Sequence, residues 1–205
     1  MKTSLINPLS KRHRGILMLM LLLLFCILLT ASGSGAYWIP PWKIPKLLWT
    51  HGEGFLVLWT IRFPRVILGG LVGMCLAVSG ASLQGLFRNP LADPGLLGVN
   101  AGAGLGAALW IVLIDSGSLG IWGVPMAAFV GAWLVLWGAW QLAKSGGPFT
   151  VMILLLAGIA MNSFSGSGIG LMTFMADDQK LRSLTFWMLG GLGGATWPLV
   201  FTVFT

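Results

Sequence analysis

Between Arg65 and Arg88 the chain runs for 22 residues without a charge, VILGGLVGMCLAVSGASLQGLF. A helix of about that length reaches ~33 Å at 1.5 Å per residue, enough to cross ~30 Å of hydrocarbon. Small residues recur along it every four positions, at Gly69, Gly73, Ala77, Ala81 and Gly85. After a short polar loop with two prolines, Arg88 to Pro94 (RNPLADP), the spacing resumes at Gly98, Gly102 and Gly106. In lipid there is little hydrophobic force between helices, so close backbone approach over small side chains drives association. The expectation is a membrane hairpin inside a multi-helix bundle, with Gly69, Gly73, Ala77, Gly98, Gly102 and Gly106 as packing positions.

The rest of the chain agrees with a membrane class. Hydrophobic residues make up 57% and charged residues 8%, and the mean hydropathy is +0.90, which a soluble domain of 205 residues cannot bury. The net charge of +7 is spread in short clusters between apolar runs, with no basic stripe on a soluble face, which argues against a nucleic-acid partner. Cys26 and Cys75 lie singly in apolar runs, without a CxxC or a histidine cluster, so they are expected as buried small residues and no metal or cofactor is called for. Tryptophans at 38, 42, 49, 59, 110, 122 and 197 fall near span ends, where indoles anchor to the membrane interface.

Five complete spans and the start of a sixth are expected in an all-α, polytopic transmembrane helical bundle. Residues 1–14 end in Lys11-Arg12-His13-Arg14 before GILMLMLLLLFCILLTA. This is either a cleavable signal peptide, with 31–36 as a small-residue cleavage site, or a retained first helix, which we favour. The basic cluster places residues 1–14 in the cytoplasm. Residues 37–65 form a periplasmic loop or interfacial helix, in which His51 is a solvated side chain. Further spans follow at 66–87, 95–114, 121–142 and 150–175, and a sixth begins near Ala195. This topology puts six of the twelve Lys and Arg on each side, so only the N-terminal cluster orients the chain.

Two features carry candidate chemistry. Arg62 and Arg65 flank Pro64 on the side where positive charge is disfavoured. Either they snorkel to headgroups, or they present forked guanidiniums to a partner's carboxylates. In the span 150–175, Gly158, Asn162, Gly166 and Gly170 share a face beside Ser163 and Ser167. Polar residues at that depth face protein or a water-filled path, so this face either glues helices or lines a pathway. Catalytic residues and metal ligands are not identified. Asp93 reads as a helix N-cap, no acid or base sits mid-span as an ion-coupled carrier commonly needs, and the stretch from Gly138 to Ser145 has Ala143 where a Walker motif requires glycine. Energy for active transport would have to come from another subunit.

Arg62-Phe-Pro-Arg65, GMCLAVSG at 73–80, Gln84, RNPLADPGLLG at 88–98, LLLAG at 154–158 and LTFWMLGG at 184–191 together resemble the FecCD/BtuC family of permease subunits of bacterial ABC importers for iron-siderophores, haem and vitamin B12, with residues 176–187 most like the haem branch. The resemblance implies a BtuC-like fold over a single permease domain 1–205, a homodimer in the inner membrane, a cytoplasmic ATP-binding subunit and a periplasmic substrate-binding protein. It gives Arg62 and Arg65 the role of docking that protein, makes the span holding Asn162 and Ser163 the pathway helix, to whose translocation pathway the face reading adds Gly166 and Ser167, and gives Thr150, Val151 and Met152 the role of a cytoplasmic gate and Arg88, Asn89, Pro90, Asp93 and Pro94 that of a signature loop. It also implies members well over three hundred residues long, of which this chain matches the first half. The function expected is permeation of an iron complex, haem or siderophore, from periplasm to cytoplasm without catalysis by this chain. A non-transporting fragment or partner protein and an ion-coupled secondary carrier are the alternatives.

Overall fold

The computed structural model describes residues 11–114, 119–145 and 150–204. Residues 1–10 of the expected cytoplasmic N-terminus, and the turn 146–149 before the expected gate, lie outside the described residues. Every regular element among the described residues is helical: α1 (Lys11–Gly33), α2 (Ile44–Thr50), α3 (Phe63–Phe87), α4 (Val99–Leu109), α5 (Gly123–Ser145), α6 (Val151–Met175), α7 (Asp178–Leu189) and α8 (Trp197–Phe204). Four helical stretches are long and apolar enough to cross a membrane: Lys11–Gly33, Val57–Phe87, Gly120–Ser145 and Val151–Met175. The span expected at 95–114 is a 3-10 turn, Pro94–Leu97, followed by the shorter apolar helix Val99–Ile114.

Contacts divide the chain into two compact units, one through Gly73 and again from Leu192, the other from Met74 to Gly191. In the first, α1 ends in a small-residue stretch, and the chain turns through a 3-10 segment (Pro41–Lys43) into α2 and then a π-helical turn (Val57–Arg62) that leads into α3. Its core is Ile39, Ile44 and Leu58, with Leu47, Leu48 and Phe63 against them.

In the second unit the glycine spacing of α4 determines the packing. A Cβ built on Gly102 would lie 2.7 Å from the Gly131 carbonyl oxygen of α5, and one on Gly106 would collide with the Ala127 carbonyl. Backbones in such contact leave no room for a side chain. Around this seam are one cluster of Leu97, Ala139, Ala143, Leu154 and Ala157 and another of Ala108, Ile111, Val112, Met172 and Leu184. Gly98, buried at the start of α4, has φ +86°, a left-handed conformation that favours glycine.

Along α3 the same spacing meets little among the described residues. A Cβ on Gly73 meets nothing within 4 Å, nor does one on Gly70, Gly80 or Gly85, while one on Gly69 lies 3.1 Å from Leu192. Gly73 and Ala77 are exposed: four-residue spacing makes a helix capable of close approach, and a neighbour must also be present. Cys26 and Cys75, expected buried, are exposed among the described residues.

Candidate functional site

The arginine pair is split by its surroundings. Helix α1 ends at Gly33, leaving its last carbonyls without intrahelical partners. Arg62 fills them: its Nη1 donates to the carbonyls of Ser32 at 3.0 Å and Gly33 at 2.7 Å, and its Nη2 to the carbonyl of Tyr37. The side chain is only 8% exposed, and its charge meets the negative end of the helix dipole. The expected docking role of Arg62 calls for donors that face a partner. Its donors are turned inward onto three carbonyls and are not offered to a partner. Arg65 is exposed and donates once from Nη2, to the Gly193 carbonyl at 2.8 Å. Both arginines border a cavity of about 350 Å³ that also touches Ala31, Ser34, Val57 and Ile61.

The proline between them has its own consequence. In the π-helical turn the Phe63 amide bonds to the carbonyl of Leu58, five residues back. Continuing that register, Pro64 would serve the Trp59 carbonyl, but proline has no N–H. The indole Nε1 of Trp197 donates to that carbonyl instead, at 2.8 Å, with the Trp59 and Trp197 ring centroids 4.9 Å apart. A parallel contact occurs in the other unit, where Lys180 of α7 gives its Nζ to the Val112 carbonyl at 2.8 Å, inside the π-helical turn Trp110–Ile114. Sequence reasoning missed the Ser32, Gly33, Trp59, Trp197 and Lys180 contacts. The one available signal was Pro64, whose missing amide orphans a carbonyl upstream.

On α6 the expected pathway residues separate. Asn162 is half-buried and its Nδ2 donates to the Gly95 carbonyl at 3.1 Å, tying α6 to the turn after the signature loop. Ser163, Gly166 and Ser167 are exposed. Ser163 Oγ donates to Ile159 O at 3.2 Å and Ser167 Oγ to Ser163 O at 3.0 Å, so both hydroxyl protons are used within the helix. A Cβ on Gly166 or Gly170 would meet nothing within 4 Å. The result is an open, small, mildly polar strip. Ser165 points the other way, fully buried with no hydrogen-bond partner among the described residues.

The signature loop caps itself. Arg88 is exposed with φ +49°, Asn89 Oδ1 accepts from the Leu91 amide at 2.9 Å, and Asp93 accepts from the Gly95 amide at the start of the turn that Pro94 opens. Asp93 is thus an N-cap, while Pro90 is exposed. Thr150 caps α6 by accepting from the Ile153 amide at 3.3 Å, and the adjoining Val151 and Met152 are exposed.

Helices able to cross a membrane, one of them carrying an open polar strip, define a multi-pass α-helical membrane protein. Comparison with known proteins narrows the class. The chain belongs to the FecCD transport family, which matches residues 20–205. It is 38% identical over 188 residues to the vitamin B12 import system permease protein BtuC of Klebsiella pneumoniae, covering 92% of this chain and 54% of the relative. It is 41% identical over 165 residues to the hemin transport system permease protein HmuU of Yersinia pestis, covering 74% and 47%. A solved inward-facing conformation of a metal-chelate type ABC transporter superposes with a TM-score of 0.73 at 25% identity, over 92% of this chain and 57% of that one. The chain spans about half the length of the curated relatives it matches.

Proposed function

We propose that this chain is permease sequence of an ABC importer that moves an iron complex, haem or a siderophore, from the periplasm to the cytoplasm across the bacterial inner membrane. The observation that carries the reading is the strip of Ser163, Gly166 and Ser167, exposed on a helix long enough to span, with its hydroxyl donors already satisfied. A wall of that kind lets a bulky solute pass without binding it tightly. Relatives named for hemin and vitamin B12 import support cargo of that size.

In this reading residues 1–205 form one permease domain, paired as a homodimer. A cytoplasmic ATP-binding subunit hydrolyses ATP, and a periplasmic substrate-binding protein delivers cargo. Arg65, exposed beside the outer end of α3, is the docking charge that remains once Arg62 is committed to α1. Thr150, Val151 and Met152 form the cytoplasmic gate, and the Arg88–Pro94 loop is a cytoplasmic turn. In this reading helix α1 is retained, which is supported by the carbonyls of Ser32, Gly33 and Tyr37 that accept from Arg62, two of which cleavage after Ala36 would remove.

The test is reconstitution of the chain with its ATP-binding subunit and binding protein in liposomes, with ATP hydrolysis and uptake measured for haemin, a ferric siderophore and cobalamin. Hydrolysis stimulated by loaded binding protein and uptake of an iron complex are expected, and Arg65→Glu should weaken binding-protein docking about tenfold, the scale of one lost charge-assisted contact. Absence of stimulation by all three ligands would sink the reading.

A further inference from the structure

The segment between α1 and the π-helical turn has two unlike sides. One buries Ile44 and packs Leu47 and Leu48 onto Ile39, Leu58 and Phe63. The other leaves Trp42 75% and Trp49 88% exposed, with Trp38 at 59%. Beside these indoles is a cavity of about 370 Å³ lined by Tyr37, Trp38, Lys43, Lys46, Thr50 and Glu53, among others. Thr50 spends its hydroxyl on the Lys46 carbonyl at 2.9 Å. The ammonium groups of Lys43 and Lys46 and the carboxylate of Glu53 make no hydrogen bond or ion pair among the described residues. Two unpaired cations and one unpaired anion therefore face a single space.

We propose that this cavity holds the headgroup of a phospholipid carrying both a phosphate and a primary ammonium, of the phosphatidylethanolamine type. The segment lies between Gly33 and Val57, where two stretches able to cross a membrane end and begin, which puts it at the membrane–water boundary. Exposed indoles are the side chains that settle at that depth. Lys43 and Lys46 bind the phosphate, as basic pockets do for lipid headgroups. Glu53 accepts hydrogen bonds from the ammonium, which also lies against the Trp38 ring. An acidic protein segment fits less well: it would meet the lysines but be repelled by Glu53, and it gives Trp42 and Trp49 nothing to enter. The proposal rests on membrane placement alone, so a failure of ligand-stimulated ATP hydrolysis leaves it standing.

The full chain, purified in detergent and exchanged against equal amounts of dioleoyl phosphatidylethanolamine, phosphatidylcholine and phosphatidylglycerol, is analysed by native mass spectrometry. Wild type is expected to retain the ethanolamine lipid about threefold over the choline lipid, the size of a partly exposed ion pair. Glu53→Gln brings that ratio to about one without lowering phosphatidylglycerol retention. The double change Lys43→Gln with Lys46→Gln lowers retention of all three lipids. Glu53→Gln leaves the buried side of the segment intact, and an unchanged thermal transition verifies its fold. A wild-type ratio near one, a ratio unmoved by Glu53→Gln, or displacement of lipid by a polyglutamate peptide would overturn the assignment, the last in favour of an acidic protein.

Discussion

Arg62 and Arg65 are the same residue type three positions apart, and their surroundings give them different work. Replacing Arg62 by Gln removes the charge opposite the α1 dipole and takes from the buried Ser32 carbonyl its donor, while the Gly33 carbonyl keeps the Ile39 amide, at a cost of about 1.5–3 kcal/mol for a hydrogen bond from a charged group. Arg62→Lys should recover only part of this, since one nitrogen replaces the two fixed guanidinium nitrogens that divide the three carbonyls between them. Arg65→Gln should cost at most about 1 kcal/mol, as for an exposed charged contact. Thermal unfolding in detergent, followed by tryptophan fluorescence, ranks the three, and an equal loss for both Gln variants would refute the clamp. Trp197→Phe keeps an aromatic ring near Trp59 but removes the Nε1 donor, so a loss of about 1–3 kcal/mol is expected from the unpaired carbonyl, and Trp197→Tyr tests whether another donor reaches it. A Phe variant as stable as wild type would show that ring packing alone holds the contact.

Among the elements, α3 and α4 pose one question and return two answers. Both carry small residues every fourth position, but among the described residues only α4 has a backbone within reach, at Gly131 and Ala127 of α5. Gly102→Leu should therefore lower the folded yield sharply, an overpacking cost of about 1–3 kcal/mol or more, while Gly73→Leu in this chain should behave as wild type on gel filtration. If Gly102→Leu folds normally, the seam between α4 and α5 is not as close as described. The contrast shows what was legible. Apolar runs, the Asp93 cap and the glycine spacing are local properties, and the helices follow from them. Whether a glycine face finds a neighbour, and whether Arg62 reaches a partner or the chain's own carbonyls about thirty residues earlier, depends on how distant segments return, which spacing does not encode. Asn162 makes the same point: its polarity at depth was legible, but its bond to Gly95 was a tertiary outcome.

For the whole molecule, the proposed transport reading makes the α6 strip a surface tuned by size more than by polarity. Ser163→Ala with Ser167→Ala should change uptake by no more than about twofold, since neither hydroxyl proton is free for cargo and an exposed, already satisfied group contributes little. Ser167→Trp should block uptake while binding-protein docking persists, and uptake insensitive to that indole would remove the strip from the pathway. The contacts that hold the arginine motif also differ in when they can form. The acceptors of Arg62 lie 25 to 30 residues before it in the chain, so they have already emerged from the ribosome when the guanidinium does. The donor for the Trp59 carbonyl arrives 138 residues later. The first unit is thus assembled in two instalments: a guanidinium hydrogen-bonded almost at synthesis, and a carbonyl left waiting until the last described helix comes into place, so that a nascent chain halted before Trp197 carries its arginine secured and its latch still open.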